Sequence, residues 1–170
     1  METRVKLDST SILLGVVAIL LLLVLGTPLL AADTTIDVGE GEQIYSGNCA
    51  GCHQANGEGV PGGFPPLAGH APELVIPEGG REYLINVLLY GLQGEIEVHG
   101  ETYNGVMPAW ARLEDEQIAD VLNHIVTAWD NQELLPEDFE AFDAEEVEEQ
   151  RGQDLSMLDV HEMRQELDLE

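Results

Sequence analysis

Apolar positions follow several different rhythms along this chain. From Ile12 to Leu25 there are fourteen consecutive apolar or Gly residues behind Arg4 and Lys6. From Asp115 to Trp129 the spacing is helical: Ile118, Val121, Leu122, Ile125, Val126 and Trp129 fall on one stripe of a predicted helix. A shorter helix is predicted from about Gly80 to Tyr90 on Leu84, Val87 and Leu88 with Tyr83 and Tyr90, and another from Val38 to Asn48, with Ile44 and Tyr45 on one side. The first and last of these three helices are expected to cross. Between Glu95 and Tyr103, the alternation of Ile96, Val98 and Tyr103 around His99-Gly100 predicts a small hairpin. The segment Gly57 to Gly69 is rich in Gly and Pro, and such a length of irregular chain is a poor loop for an ordinary domain. Helices dominate, so the expected class is all-α with one minor hairpin.

The ends of the chain carry separate signals. No charge interrupts Ser11 to Ala32, and the run behind two basic residues reads as an export segment at residues 1–32. The block reaches Ala32 through Gly26, Thr27 and Pro28, just long enough to cross a hydrocarbon core of about 30 Å. A cleaved signal peptide and a retained N-terminal membrane anchor therefore both stand, and either places residues 33 onward outside the cytoplasmic membrane. At the other end, residues 131–170 are strongly acidic, a composition that also suits a disordered tail. Phe139 and Phe142, the cap signals Asp143 with Glu146 and Ser156 with Asp159, and the helical spacing of Val160, Met163 and Leu167 predict instead two short helices wrapping a domain at 33–130.

Composition narrows the function. The 170 residues suit one compact domain with appendages, and 33 Asp+Glu against 6 Lys+Arg give a formal net charge of -27. A phosphate backbone would be repelled, which excludes nucleic acid as a partner. No lysine follows Lys6.

The 2 cysteines, Cys49 and Cys52, lie in Cys49-Ala50-Gly51-Cys52-His53. Two intervening residues let one helical turn present both thiols to the two vinyl groups of a haem, and the next residue then offers an imidazole to the iron. A disulfide, a redox pair or half of a zinc site is the alternative, but a zinc site lacks partners at recognisable spacing. One covalent haem c is expected, with His53 as an iron ligand. The haem also supplies a core around which irregular chain can wrap. For the second ligand the methionines Met107, Met157 and Met163 compete with His70, His99, His124 and His161. Met107 is preferred because it lies in Tyr103-Asn104-Gly105-Val106-Met107-Pro108, read as a Gly/Pro loop that presents a side chain. Met157 and Met163 read as packing residues, His124 as a helix-surface or supporting residue, and His70 and His99 as loop residues. Thioether and imidazole together fill both axial positions, which suits one-electron transfer and leaves no vacancy for bond chemistry. A haem enzyme or gas sensor with an open iron is the competing class.

The ordered set Gly41-x-x-Ile44-Tyr45-x-x-x-Cys49-Ala50-Gly51-Cys52-His53, then Phe64-Pro65-Pro66-Leu67-Ala68-Gly69, then Asn104-Gly105-Val106-Met107-Pro108, then the closing helix, resembles a class I cytochrome c over about Val38 to Trp129. Within that family it is most similar to the exported cytochromes c of thermophilic bacteria that carry a long C-terminal extension and donate electrons to a ba-type haem-copper oxidase. Gly80-Arg81-Glu82-Tyr83-Leu84, Leu89 to Gly94, and Leu122-Asn123-His124-Ile125 carry this closer likeness.

The resemblance implies helices wrapped around one haem, and a respiratory donor complex and a terminal cytochrome oxidase as partners, in the periplasm or on the outer face of the cytoplasmic membrane. A membrane-anchored cytochrome subunit of a respiratory complex is the other form this function takes. It further implies that Pro65 accepts a hydrogen bond from His53, that Leu67 packs on the porphyrin, and that Tyr103 and Asn104 tune the sulfur ligand. Arg81 is open between a haem propionate and a nearby glutamate. One departure stands out: acids replace the lysines expected on a cytochrome surface. Either the docking partner is basic or the surface is adapted to high salt.

Overall fold

The computed structural model of the protein describes residues 38–169, so the export segment read at residues 1–32 lies outside the described residues. In chain order the elements are α1 (Val38–Asn48), α2 (Ala50–His53), α3 (Ala71–Leu74), α4 (Gly80–Tyr90), β1 (Leu92–Val98), β2 (Glu101–Met107), α5 (Asp115–Thr127), a 3-10 turn (Asn131–Leu134), α6 (Ala144–Arg151) and α7 (Met157–Glu166). Among the described residues no helix is long and apolar enough to cross a membrane.

The stripe foreseen on α5 is the centre of the core: Ile118, Val121, Leu122, Ile125 and Val126 are all buried. Glu114 and Gln117 start the helix with a reciprocal capping box. Helices α1 and α5 make the most extensive helix contact. Their backbones meet at Gly41, where a Cβ would collide with the Asp120 carbonyl and the His124 side chain. Helix α5 stops at Thr127, two residues before its expected end, and Thr127 Oγ1 donates back to the Asn123 carbonyl at 2.6 Å. Trp129 and Asp130 are left-handed, with φ of 53° and 67°. This reversal turns Trp129 edge-on to Tyr45 at 5.0 Å, with its indole N–H on the Ala55 carbonyl.

The hairpin is longer than its apolar alternation foretold. Pairing runs from Val98 with Glu101 out to Leu92 with Met107, closed by His99 and Gly100 at φ of 51° and 81°. Two positive φ values suit the turn whose twist matches an antiparallel pair. The segment read as a loop presenting Met107 is therefore a strand. Its ladder to β1, not Gly/Pro freedom, fixes where Met107 stands.

Beyond α5 the chain returns over the domain. Asn131 is buried, accepts from the Gly69 N–H at 2.7 Å and donates to the Ile125 and Leu67 carbonyls. Both later helices begin with capping boxes, Asp143 with Glu146 and Ser156 with Asp159. Phe142, Val147 and Val160 are buried apolar anchors. Polar clamps add to them. Arg81 donates to Glu146 at 2.6 and 2.9 Å and to the Glu140 and Ala141 carbonyls, with its guanidinium 4.1 Å from the centre of the Phe142 ring. Arg151 donates to Asp115 at 2.6 Å and to the Ala111 and Leu113 carbonyls. Arg164 donates to His70 Nε2 and the Glu97 carbonyl, both at 3.2 Å. Burial pushes His70 down to about 4, which leaves its ring neutral and able to accept from Arg164.

Candidate functional site

The attachment pentapeptide sits where α1 gives way to the one-turn helix α2. The Cys49 carbonyl accepts from the backbone N–H of Cys52 and of His53, at 3.1 and 2.9 Å, so Cys49 and His53 fall four residues apart on one side of the turn. Gln54 ends the turn with φ of 64°, and Tyr45 Oη donates to its carbonyl at 2.6 Å. Behind the turn the irregular chain closes on itself. Val60 bridges Phe64, and Gly59 approaches so near that a Cβ would strike the Phe64 and Pro65 carbonyls. The loop thereby holds the Pro65 carbonyl 2.9 Å from His53 Nδ1.

That contact decides the chemistry of His53. A carbonyl only accepts, so Nδ1 carries the proton and Nε2 keeps its lone pair. Burial holds the imidazole below its ordinary pKa, with the Pro65 bond opposing part of the shift. Cys49 is buried and its thiol is pushed up to about 11, first by burial and then by Cys52; Cys52 is exposed.

A cleft opens beside the turn. Cys52, His53, Phe64 and Pro65 line it from the attachment side, while Leu92, Ile96, Tyr103 and Met107 line it from the hairpin. Its largely apolar lining suits a flat hydrophobic cofactor. The donor set is soft and neutral: two thiols for covalent attachment, an imidazole with a free Nε2, and a thioether.

The sequence-derived residues thus divide. Cys52, His53, Pro65, Tyr103 and Met107 meet at the cleft. Cys49 is part of the buried core next in the turn. Leu67 packs against that same core and is not among the cleft-lining residues. Asn104 is exposed and pairs with Glu95 across the hairpin, outside the lining. Of the two partners left open for Arg81, the structure supplies the glutamate. Its donors go to Glu146 and two carbonyls of the C-terminal segment.

Leu92, Ile96 and Val106 also belong to the cleft, beyond the residues to which the motifs point. The period-two signal was present at Ile96, but only the cross-strand register brings Leu92 level with Met107. His124 lies in an aromatic cluster, 5.4 Å from the Tyr45 ring and 5.6 Å from that of Trp129.

The comparisons agree with this geometry. The sequence model of the cytochrome c family matches residues 38–129. One cytochrome c-552 of Thermus thermophilus is 56% identical over 130 residues, covering 76% of this chain and 98% of that protein. A second cytochrome c-552, also from Thermus thermophilus, is 53% identical over 141 residues, covering 83% of this chain and 94% of that one. The cytochrome c subunit of a quinone alcohol dehydrogenase from Gluconacetobacter polyoxogenes is 38% identical over 105 residues, covering 61% of this chain and 21% of that one. Attachment turn, cleft and hairpin all lie within the matched residues, and the chain belongs to the cytochrome c family, with the class I fold, covalent haem c and a role in electron transfer rather than catalysis.

Proposed function

We propose that this protein is an exported respiratory carrier of single electrons, with His53 and Met107 as the axial ligands, and that it delivers to a terminal haem-copper oxidase. The observation that carries the ligand assignment is that His53, from the attachment turn, and Met107, from the end of β2, line one apolar cleft. Haem c supplies a reversible one-electron iron couple. The chain's own residues do the rest. The Pro65 carbonyl fixes the ring of His53 and raises its basicity through the Nδ1 hydrogen bond. The ladder between β1 and β2 holds Met107 level with Leu92. Leu92, Ile96 and Tyr103 keep water from the cleft wall, which favours the less charged ferrous state.

At the surface, Val60, Phe64 and Val106 are exposed large apolar residues, and the latter two line the cleft. They form the rim on which a small, transient electron-transfer contact would seat. The arginines of the described segment are engaged: Arg81, Arg151 and Arg164 on the C-terminal segment, and Arg112 against Trp110 and Asn48. A partner steered electrostatically to this acidic surface must therefore present a basic face.

The test is the absorption spectrum of the oxidised holoprotein. Met107→Ala is expected to abolish the Met-to-iron charge-transfer band, while thioether attachment through Cys49 and Cys52 persists. A surviving band removes Met107 as the ligand. The likeness to a dehydrogenase cytochrome subunit supports a second form of this role, as a fixed subunit of a membrane complex. Co-purification with membrane subunits selects that form, and recovery as a free protein beginning near Asp33 selects the mobile carrier.

A further inference from the structure

A second group of ligand-type side chains stands apart from the cleft. His70 is the N-cap of α3 and Glu73 follows in its first turn, so both project from one short segment. His99 opens the hairpin turn with its ring edge-on to that of His70 at 5.5 Å. One carboxylate faces two imidazole nitrogens: Glu73 Oε2 is 2.8 Å from His70 Nδ1 and 3.1 Å from His99 Nε2. One ligand atom from each of the three residues lies within 4.8 Å of the others. In a tetrahedral zinc site with ligand bonds of about 2.0–2.1 Å, neighbouring ligand atoms stand about 3.3 Å apart. Two of the trio's three edges, at 2.8 and 3.1 Å, are therefore near that spacing before any cation arrives, and His70 Nδ1 and His99 Nε2 lie within 4.8 Å. His70 is buried and anchored, whereas Glu73 and His99 are exposed and leave an entry path from solvent.

We propose that His70 Nδ1, Glu73 and His99 Nε2 bind one Zn²⁺ ion, with water at the fourth position. Two imidazoles and a carboxylate form a donor set suited to this cation. The net charge of -27 raises the local concentration of any divalent cation near the surface.

Arg164 makes the site conditional. A guanidinium only donates, so in the metal-free arrangement His70 Nε2 accepts from Arg164 Nη2 at 3.2 Å and Nδ1 donates to Glu73. Zinc on Nδ1 requires the ring proton to move to Nε2, where it faces another donor. The ion and the Arg164 bond to His70 exclude one another, and Arg164 then keeps the Glu97 carbonyl and its contacts with Tyr83, whose ring centre is 5.8 Å away. Occupancy of the site is thereby linked to the seating of α7.

The full-length holoprotein can be titrated with zinc alone against a chromophoric zinc indicator at neutral pH. The expected result is one stoichiometric site above a background of weak acidic binding. His99→Ala, a change in an exposed turn, and Glu73→Gln should each weaken that site about tenfold or more, with the haem spectrum unchanged. Arg164→Gln removes a charge, supplies an acceptor for the Nε2 proton, and should tighten binding about tenfold. Absence of a stoichiometric site, or unchanged affinity in both His99→Ala and Glu73→Gln, overturns the proposal. Unchanged or weaker binding by a folded Arg164→Gln variant overturns the link to α7.

Discussion

Residues 38–129 and residues 131–169 are held in place by different forces. In the first segment, α1 meets α5 through close backbone approach and an apolar stripe. In the second, arginines and amides bind chain carbonyls and carboxylates, adding a polar layer to the apolar anchors Phe142, Val147 and Val160 and the partly buried side chains around them. The acidic surface explains part of the contrast. Where acids so outnumber bases, each arginine is a scarce resource, and three of the four in the described segment join the C-terminal segment to the domain. Hydrophobic burial is indifferent to charge balance, whereas the second kind of attachment depends on it.

Substitutions sharpen this contrast in descending order. Ile118→Ala opens a hole at a position with no solvent exposure and should cost about 4 kcal/mol in urea unfolding of the holoprotein. Asn123→Ala strips buried partners from both the N–H and the carbonyl of Phe142, and should cost about 3 kcal/mol, with amide protection falling first in α6. Arg81→Ala removes the pair with Glu146 and two carbonyl contacts from a partly exposed clamp. About 2 kcal/mol is expected, read as faster hydrogen exchange in α6 with α5 unchanged. Equal loosening of α5 in that variant would dissolve the distinction between the two segments.

The smallest effect is a pH limb. Burial holds His124 below its ordinary 6.5, against an opposing pull from Glu42. The unfolded chain thus takes a proton before the folded one does. Stability is unaffected by this group above pH 6.5, falls as pH drops below it, and stops falling once His124 is charged in the fold. His124→Gln should flatten that part of the pH dependence of the urea midpoint between about pH 7 and 5.

Local signals were readable wherever the sequence itself fixed the neighbour. The stripe on α5, the bounds of α1 and α4, both C-terminal capping boxes and the attachment pentapeptide all involve residues within a few positions of one another. What escaped was set at a distance. Met107 was assigned to a loop because its Gly and Pro neighbours outweighed alternation, yet its place comes from pairing with Leu92. Arg81 pairs with Glu146 at a separation of 65 residues, a partner no local pattern could single out. Trp129 carries the helical period past the true end of α5, and its contacts with Tyr45, His124 and the Ala55 carbonyl, distant in sequence or across the turn, hold it where the chain reverses. His70 and His99 looked featureless singly, and folding put both beside one glutamate.

The approach at Gly41 has a further consequence, for how freely the family's architecture can vary. The contact with Asp120 gathers a loop of roughly 80 residues, and the entropic cost of such closure grows only logarithmically, by about 0.6 kcal/mol for each doubling of length. Insertions between the two helices are therefore inexpensive, and lineages can lengthen or remodel the intervening segments while the crossing stays intact. A single methyl group at position 41 offers no such latitude, because it wedges apart the two segments on which every insertion relies.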